Sequence, residues 1–134
     1  MKNFITILCV PVFALFLTNC NSYTGYESCN EFIYIRNNSV TSVYFAYTMK
    51  DDFFNTNIKY NEILPDGKGI IRNTAEFQCW DQYISRTSGY IYIYIYDAAL
   101  IESTPWDEAQ KKYIQKYKLN VEQLIKMKWT LEYP

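Results

Sequence analysis

The residue types that carry most protein chemistry are scarce in this chain. It contains no histidine, so it lacks the Ser–His and Cys–His nucleophile pairs and the commonest ligand of transition metals. Two of its cysteines, Cys29 and Cys79, are 50 residues apart and lack the paired spacing of a zinc site. Neither a glycine-rich phosphate loop nor a calcium-loop pattern occurs. We therefore predict no cofactor.

Carboxylates are the remaining candidates for acid–base chemistry. They cluster at Asp51-Asp52, at Asp97 with Glu102, and at Asp107-Glu108. Adjacent carboxylates on a strand point to opposite faces, and carboxylates at a helix start are explained by the helix dipole. A two-carboxylate hydrolase also requires a separation that only the fold sets. We expect no enzymatic activity and keep a small hydrolase as the least favoured alternative.

Aromatic side chains are the candidates for a contact surface. Phe53 and Phe54 interrupt a polar stretch, and Trp80 and Tyr83 lie in a less regular one. Because aromatic rings supply contact area at low entropic cost, these four residues form our predicted contact surface.

The element that must position these residues is GYIYIYIYD, residues 89–97. Strict alternation gives a strand with one Ile face and one Tyr face, which is typical of a central strand. An exposed Tyr face could stack sugars or bind a protein. A patch of that size is rare on a monomer, so we favour burial under the helices of Trp106 and Leu124, or beside Tyr44 and Tyr47.

The preceding residues predict short strands joined by turns. Residues 31–36 and 42–48 form an expected hairpin around Asn37-Asn38-Ser39. Residues 59–64 and 69–72 form a second pair around Pro65-Asp66-Gly67, whose glycine can take a positive φ. Residues 73–88 are predicted as a loop that could include a short strand.

The residues after Asp97 change to a helical pattern. Thr104 and Pro105 indicate a helix start, with Trp106, Ala109 and Tyr113 on one face. A capping box at Asn120 and Gln123 starts a second helix, whose expected buried stripe is Val121, Leu124 and Ile125. WTLEY, residues 129–133, is predicted as the last strand and as a partner of the Tyr/Ile strand.

These elements predict a mainly β domain. We expect an antiparallel, sandwich-like arrangement with two short helices before the last strand. An α+β domain with the helices packed on one sheet face is the alternative.

The amino-terminal residues resemble the export signal of bacterial lipoproteins. Lys2 precedes an apolar run that ends in Leu17-Thr18-Asn19-Cys20, which resembles a lipobox of the Bacteroidetes type. The resemblance implies a signal peptide at 1–19 and lipid attachment at Cys20. The short polar stretch that follows predicts a tether over 20–28, and the remaining length predicts a single domain over 29–134. A plain secretory signal is the alternative.

The carboxy-terminal residues support the same resemblance. TPWDE and KWTLEYP are similar to the tails of small Bacteroidetes-type lipoproteins of unknown function. The matching positions are Pro105, Trp106, Asp107, Tyr117, Trp129, Thr130, Tyr133 and Pro134. This resemblance implies a family but assigns no catalytic residue.

With Cys9 removed and Cys20 lipidated, Cys29 and Cys79 remain in an oxidising compartment. An even remainder favours a disulfide between them, and two buried free thiols are the alternative.

We therefore predict a non-catalytic, lipid-anchored protein of the cell envelope. Outer-membrane attachment facing the periplasm is favoured, because only Glu27 supplies an acidic residue after the lipobox. The expected partner is an envelope protein or a glycan, and nucleic acid is excluded for an exported protein. An inhibitor or immunity-type lipoprotein is the alternative function. The carboxy-terminal lysines could meet anionic head groups or an acidic partner, although solvated helix faces explain them as well.

Overall fold

The fold is described from a computed structural model, for residues 29–51, 61–73 and 79–134. The strands are β1 (Phe32–Asn37), β2 (Val43–Thr48), β3 (Asn61–Ile63), β4 (Lys68–Arg72), β5 (Ile91–Asp97), β6 (Gln115–Leu119) and β7 (Thr130–Tyr133). The helices are α1 (Trp80–Arg86), α2 (Ala98–Ser103), α3 (Trp106–Ala109) and α4 (Val121–Lys126). Within these ranges, every helix is too short or too polar to span a bilayer.

The strands form two sheets. One is a three-stranded sheet of order β4-β1-β7, and the other is a four-stranded sheet of order β3-β2-β5-β6. The observed pairs are antiparallel except β1 with β7, which run parallel. The predicted mainly β, sandwich-like fold class is confirmed.

One hydrophobic core lies between the inner faces of the two sheets. β1 contributes Ile33 and Ile35, which alternate with the more exposed Phe32, Tyr34 and Arg36 as a strand requires. The rest of this core comes from both sheets and from α1 and α4, and it includes Val43, Phe45, Ile71, Trp80, Ile84, Ile91, Ile93, Ile95, Leu124 and Leu131.

The Tyr/Ile strand is central and covered on both faces, as predicted. β5 lies between β2 and β6, and its Ile side chains point into the core. Tyr92, Tyr94 and Tyr96 form a second buried cluster with Ile101 and Ala109 of the following helices. Trp106 packs edge-on against Tyr96, with ring centroids 5.4 Å apart. Leu124, in contrast, covers the Ile side.

The predicted hairpin of the first two strands is wrong. β1 belongs to the three-stranded sheet and β2 to the four-stranded sheet, so the turn carries the chain across the core. The buried Asn37 amide stabilises this crossing by donating to the carbonyl oxygens of Thr41 and Ile63 at 2.8 and 3.1 Å. A turn signal indicates a reversal of the chain, but it does not indicate which sheet the next strand joins.

The second predicted strand pair is also wrong. The turn exists, because the Gly67 amide donates to the Leu64 carbonyl at 2.9 Å. However, β3 pairs with β2, and β4 pairs with β1. The positive φ lies at Asp66 and not at Gly67. Gly67 is required for another reason: a Cβ there would lie 2.7 Å from the Leu64 carbonyl oxygen.

The last strand forms as predicted but has a different partner. β7 pairs in parallel with β1, with Thr130 opposite Tyr34. The expected partner β5 already has β2 on one side and β6 on the other. A strand has two edges, so β5 has no free edge for β7. Strand β6, which occupies the second edge, was not among the predicted strands.

Residues 80–86 form helix α1, where we predicted a loop. Trp80 and Ile84 are one helical turn apart and both face the core. Cys79 directly precedes α1 and is bonded to Cys29, with their Cα atoms 5.0 Å apart. The predicted disulfide is confirmed.

The carboxy-terminal helices are shorter than predicted. α3 follows Pro105 and ends at Ala109, so Tyr113 lies beyond it. The predicted capping box is present, because Asn120 and Gln123 exchange two hydrogen bonds of 2.9 Å. Leu124 is buried as expected, but Ile125 is 55% exposed, so the prediction of a buried Ile125 is wrong.

Candidate binding surface

The four predicted contact residues do not form one surface. Phe53 and Phe54, like Cys20, lie outside the described residues. Trp80 is 1% exposed, and its indole N–H donates to the Ile71 carbonyl oxygen at 3.3 Å. Tyr83 is half-buried edge-on against Trp80. The assignment of Trp80 to a contact surface is therefore wrong, because a core side chain cannot reach a partner.

Four of the clustered carboxylates have structural roles. Asp97 caps α2 by accepting a hydrogen bond from the Leu100 amide at 3.0 Å. Asp107 and Glu108 occupy the first turn of α3. Asp51 is paired with the Lys116 ammonium. Within residues 29–51, 61–73 and 79–134, no group of three or more His, Cys, Asp or Glu side chains could hold a metal ion.

The Tyr face of β5 is closed by internal contacts at its middle. The Tyr94 hydroxyl donates to the Asp51 carbonyl oxygen at 2.7 Å, and burial raises the pKa of Tyr94. The hydrogen bond to the Asp51 carboxylate raises the pKa of Lys116. These contacts hold residue 51 against the sheet. The Tyr94 hydroxyl, Asp51 and the Lys116 ammonium therefore stabilise the fold.

The three-stranded sheet differs, because none of the described helices packs over its outer face. That outer face consists of Phe32, Tyr34, Arg36, Lys68, Ile70, Arg72, Thr130 and Glu132. Ile70, in the edge strand β4 beside Tyr34, is 52% exposed. Aromatic residues and arginine are enriched in protein–protein contact surfaces.

The pairing register places these side chains in three rows. Phe32 lies beside Arg72, Tyr34 lies between Ile70 and Thr130, and the third row consists of Lys68, Arg36 and Glu132. Rows on one face of a strand repeat every two residues, or about 6.6 Å. The outer face is therefore about 13 Å long from Phe32 to Arg36.

Cations cover both aromatic rings of the outer face. The Lys68 ammonium lies 3.7 Å from the centroid of the Tyr34 ring. The Arg72 guanidinium lies 5.4 Å from the centroid of the Phe32 ring. Each ring attracts its cation through its negative π-face. The rings therefore hold positive charge against the sheet.

The single carboxylate of the outer face is neutralised locally. Glu132 is paired with Arg36 at 3.7 Å and accepts a hydrogen bond from the Asn38 amide at 2.6 Å. Both side chains of the ion pair are about half exposed, at 55% and 53%. An exposed pair adds little stability, but it gives Glu132 a counter-ion within the outer face.

Two shallow pockets lie along the outer face, and Lys128 lines both. One encloses about 250 Å³ beside Phe32 and Tyr34, near Cys29. The other encloses about 370 Å³ beside Arg36, Lys68 and Thr130. We call these two pockets together the groove. It is lined by Phe32, Tyr34, Arg36, Lys68, Thr130 and Lys128, and also by the carboxylates Glu31 and Glu132.

The backbone at Lys128 is strained. Lys128 and Trp129 have φ angles of 52° and 58°, in the left-handed region. The Lys128 and Trp129 amides donate to the carbonyls of Ile125 and Leu124, at 2.9 and 2.8 Å. This pattern is a Schellman motif at the end of α4, and its left-handed position usually holds glycine. Here that position holds a lysine whose side chain faces the groove.

One segment of the sequence carries a signal for the outer face, although it was not predicted as a contact surface. Phe32, Tyr34 and Arg36 alternate with Ile33 and Ile35. The segment from Lys68 to Arg72 has no such alternation, because Ile70 and Ile71 are adjacent. Only the pairing of β1 with β4 shows that the exposed side chains of β4 continue the same face.

Comparisons of this chain with protein-family models, with curated proteins and with solved structures find no match. Function must therefore be inferred from the outer face and the groove.

Proposed function

We propose that this chain is a non-catalytic, lipid-anchored protein of the cell envelope that binds a partner protein through the outer face. The two rings of that face and the cations over them carry the proposal, together with Ile70, which is 52% exposed beside Tyr34. The same chain buries three tyrosines of β5 under helices. Among the described residues, no helix covers the outer face in this way.

The resemblance of residues 1–20 to lipoprotein signals supports the anchor. Cys20 and Cys29 are separated by eight residues, which span at most about 30 Å when extended. Cys29 lines the groove at its Phe32 end. A lipid on Cys20 would therefore hold the groove within reach of partners at the membrane surface.

The covered rings favour a protein over a glycan. Sugars stack on open aromatic faces, whereas Lys68 and Arg72 occupy faces of Tyr34 and Phe32. An inhibitor or immunity-type role would use the same face, with an enzyme or toxin as the partner.

Site-specific photo-crosslinking in cells tests the binding face. A photoreactive residue at Ile70 should give a discrete adduct in envelope fractions. The matched control is Ile114, an isoleucine of similar exposure, 48%, next to β6 of the other sheet. The Ile70 adduct should disappear when Tyr34→Ala is added. Equal adducts from both positions, or no adduct from Ile70, would contradict the proposal that the outer face binds a partner.

Fractionation tests the anchor separately. Cys20→Ala should release the protein from membrane pellets, because two or three acyl chains give durable attachment and their absence removes it. Retention of the variant in the pellet would show that something other than a lipid on Cys20 holds the protein there.

A further inference from the structure

We infer that the partner contributes an extended acidic polypeptide segment, which binds in the groove between Lys68 and Lys128. This inference rests on the proposed function, since it names the chemistry of the partner at the same face.

The charge of the groove points to a negatively charged ligand. Arg36, Lys68 and Lys128 line it, and Arg72 lies at its edge beside Phe32. Two carboxylates also line it, Glu31 and Glu132, and Glu132 is already paired with Arg36 and Asn38. The whole chain has a formal charge of −1, so this cluster of cations opposes the overall balance. Complementary charge sets which partner binds and how fast it arrives.

The arrangement of the cations also points to a carboxylate ligand. Lys68 and Arg72 lie over Tyr34 and Phe32, which hold them against the sheet. A neutral sugar would have to displace a cation from its ring before it could stack. A carboxylate can instead bind the outward side of the same cation and leave the cation–π contact intact.

The shape of the groove fits a chain and not a membrane. It is concave, it follows β1, and Lys128 joins its two pockets. The outer face along which it lies is about 13 Å long, which matches four or five extended residues. Alternate side chains of such a segment lie about 6.6 Å apart, which is the spacing of the rows on the outer face. A flat bilayer would contact the rim and leave the groove empty.

The position of Lys128 supports the same conclusion. A left-handed backbone at the end of a helix favours glycine, yet this position holds lysine. Lysine near a helix C-terminus also interacts with the helix dipole, but Lys126 already supplies that charge in the last turn of α4. The side chain of Lys128 adds a cation to both pockets of the groove.

The test measures fluorescence anisotropy of labelled octapeptides with the full chain in neutral detergent. The probe alternates Glu with Ser, and the charge-reversed control alternates Lys with Ser. We expect the acidic peptide alone to bind, and its affinity to fall with rising ionic strength. Lys68→Gln and Lys128→Gly should each weaken binding roughly fivefold or more. Lys112→Gln, an exposed lysine outside the groove, is the matched control and should change little.

Three results would overturn the inference. The first is no binding of the acidic peptide. The second is binding that Lys112→Gln weakens as much as Lys128→Gly does. The third is tighter binding to tetragalacturonate or to phosphatidylglycerol vesicles than to the peptide, which would make the ligand a glycan or a membrane.

The inference and the proposed function can fail separately. An Ile70 adduct that depends on Tyr34, together with no peptide binding, would support a partner protein at this face. The same result would contradict the acidic segment. If neither the Ile70 adduct nor peptide binding is observed, the proposed binding face is wrong. Membrane retention of Cys20→Ala would remove the anchor alone.

Discussion

The Tyr96 hydroxyl donates to the carbonyl oxygen of Gln110 at 3.1 Å. This bond joins the central strand to the turn that follows α3, so it fixes the helices over the Tyr face. Both residues are buried, at 2% and 7% exposed. Burial is the main cause that raises the pKa of Tyr96 well above the ordinary value of 10.0, and the neighbouring Tyr94 and Tyr113 raise it further.

We predict that the domain loses stability in alkali, starting near pH 10. The unfolded chain releases the Tyr96 proton near pH 10, whereas the folded chain retains it because burial raises the pKa. The folded state then binds more protons, so the free energy of unfolding falls by about 1.4 kcal/mol per pH unit for each such tyrosine. Burial raises the pKa of Tyr94 in the same direction. Urea unfolding between pH 7 and pH 11 measures this loss.

Tyr96→Phe is the control for that loss. At neutral pH it should cost about 1 kcal/mol, because the bond to Gln110 is removed. Above pH 10 the difference from the parent chain should shrink, since phenylalanine has no proton to lose. A constant difference across the range would contradict the raised pKa.

Trp80→Phe should destabilise the fold. The change removes core volume and leaves the buried Ile71 carbonyl without its indole donor. Together these losses should cost about 2–4 kcal/mol, measured by urea unfolding. Tyr83→Phe, on the same helix but half-buried, should cost less than about 0.5 kcal/mol. If Trp80→Phe and Tyr83→Phe cause equally small losses of stability, the buried position of Trp80 is contradicted.

Reduction of the Cys29–Cys79 disulfide should lower the free energy of unfolding by about 4 kcal/mol. The bond has a sequence separation of 50 residues, and the chain-entropy model gives this magnitude for such a loop. Denaturation with and without reductant measures the effect. A Cys29→Ser, Cys79→Ser double variant should unfold at the same midpoint under both conditions. An unchanged midpoint for the parent chain would mean that the bond adds no stability.

Lys128→Gly should stabilise the fold by up to about 1 kcal/mol, because glycine adopts the left-handed backbone without strain. Lys126→Gly, two residues earlier in right-handed helix, should instead destabilise it by about 1 kcal/mol. Thermal unfolding of both variants measures this change of sign. Destabilisation by both would contradict the strain at Lys128.

Local patterns predicted the local features of this fold. Alternating Tyr and Ile identified β5 as a central strand, because a two-faced apolar strand needs cover on both sides. The Asn120 and Gln123 capping box marked the start of α4 through bonds made within one turn. Cysteine counting identified the disulfide. Each of these depends on side chains that are close in sequence or on a residue type with one favoured role.

Strand pairing could not be predicted in the same way. The Pro65-Asp66-Gly67 turn looks the same whether its strands pair with each other or pass to different sheets. The outcome depends on the core and on Asn37, whose amide joins the end of β1 to the end of β3. The groove could not be predicted for the same reason, since it needs β4, β1 and β7 side by side.

The parallel pairing of Tyr34 with Thr130 spans most of the described chain. Contacts between such distant residues form slowly, because a large loop must close before they stabilise anything. We therefore expect β7 to dock late during folding, after the four-stranded sheet has formed. The groove takes Lys128 and Thr130 from this last segment. A partner that binds there would thus recognise only molecules that have finished folding, and an immature chain would not compete for it.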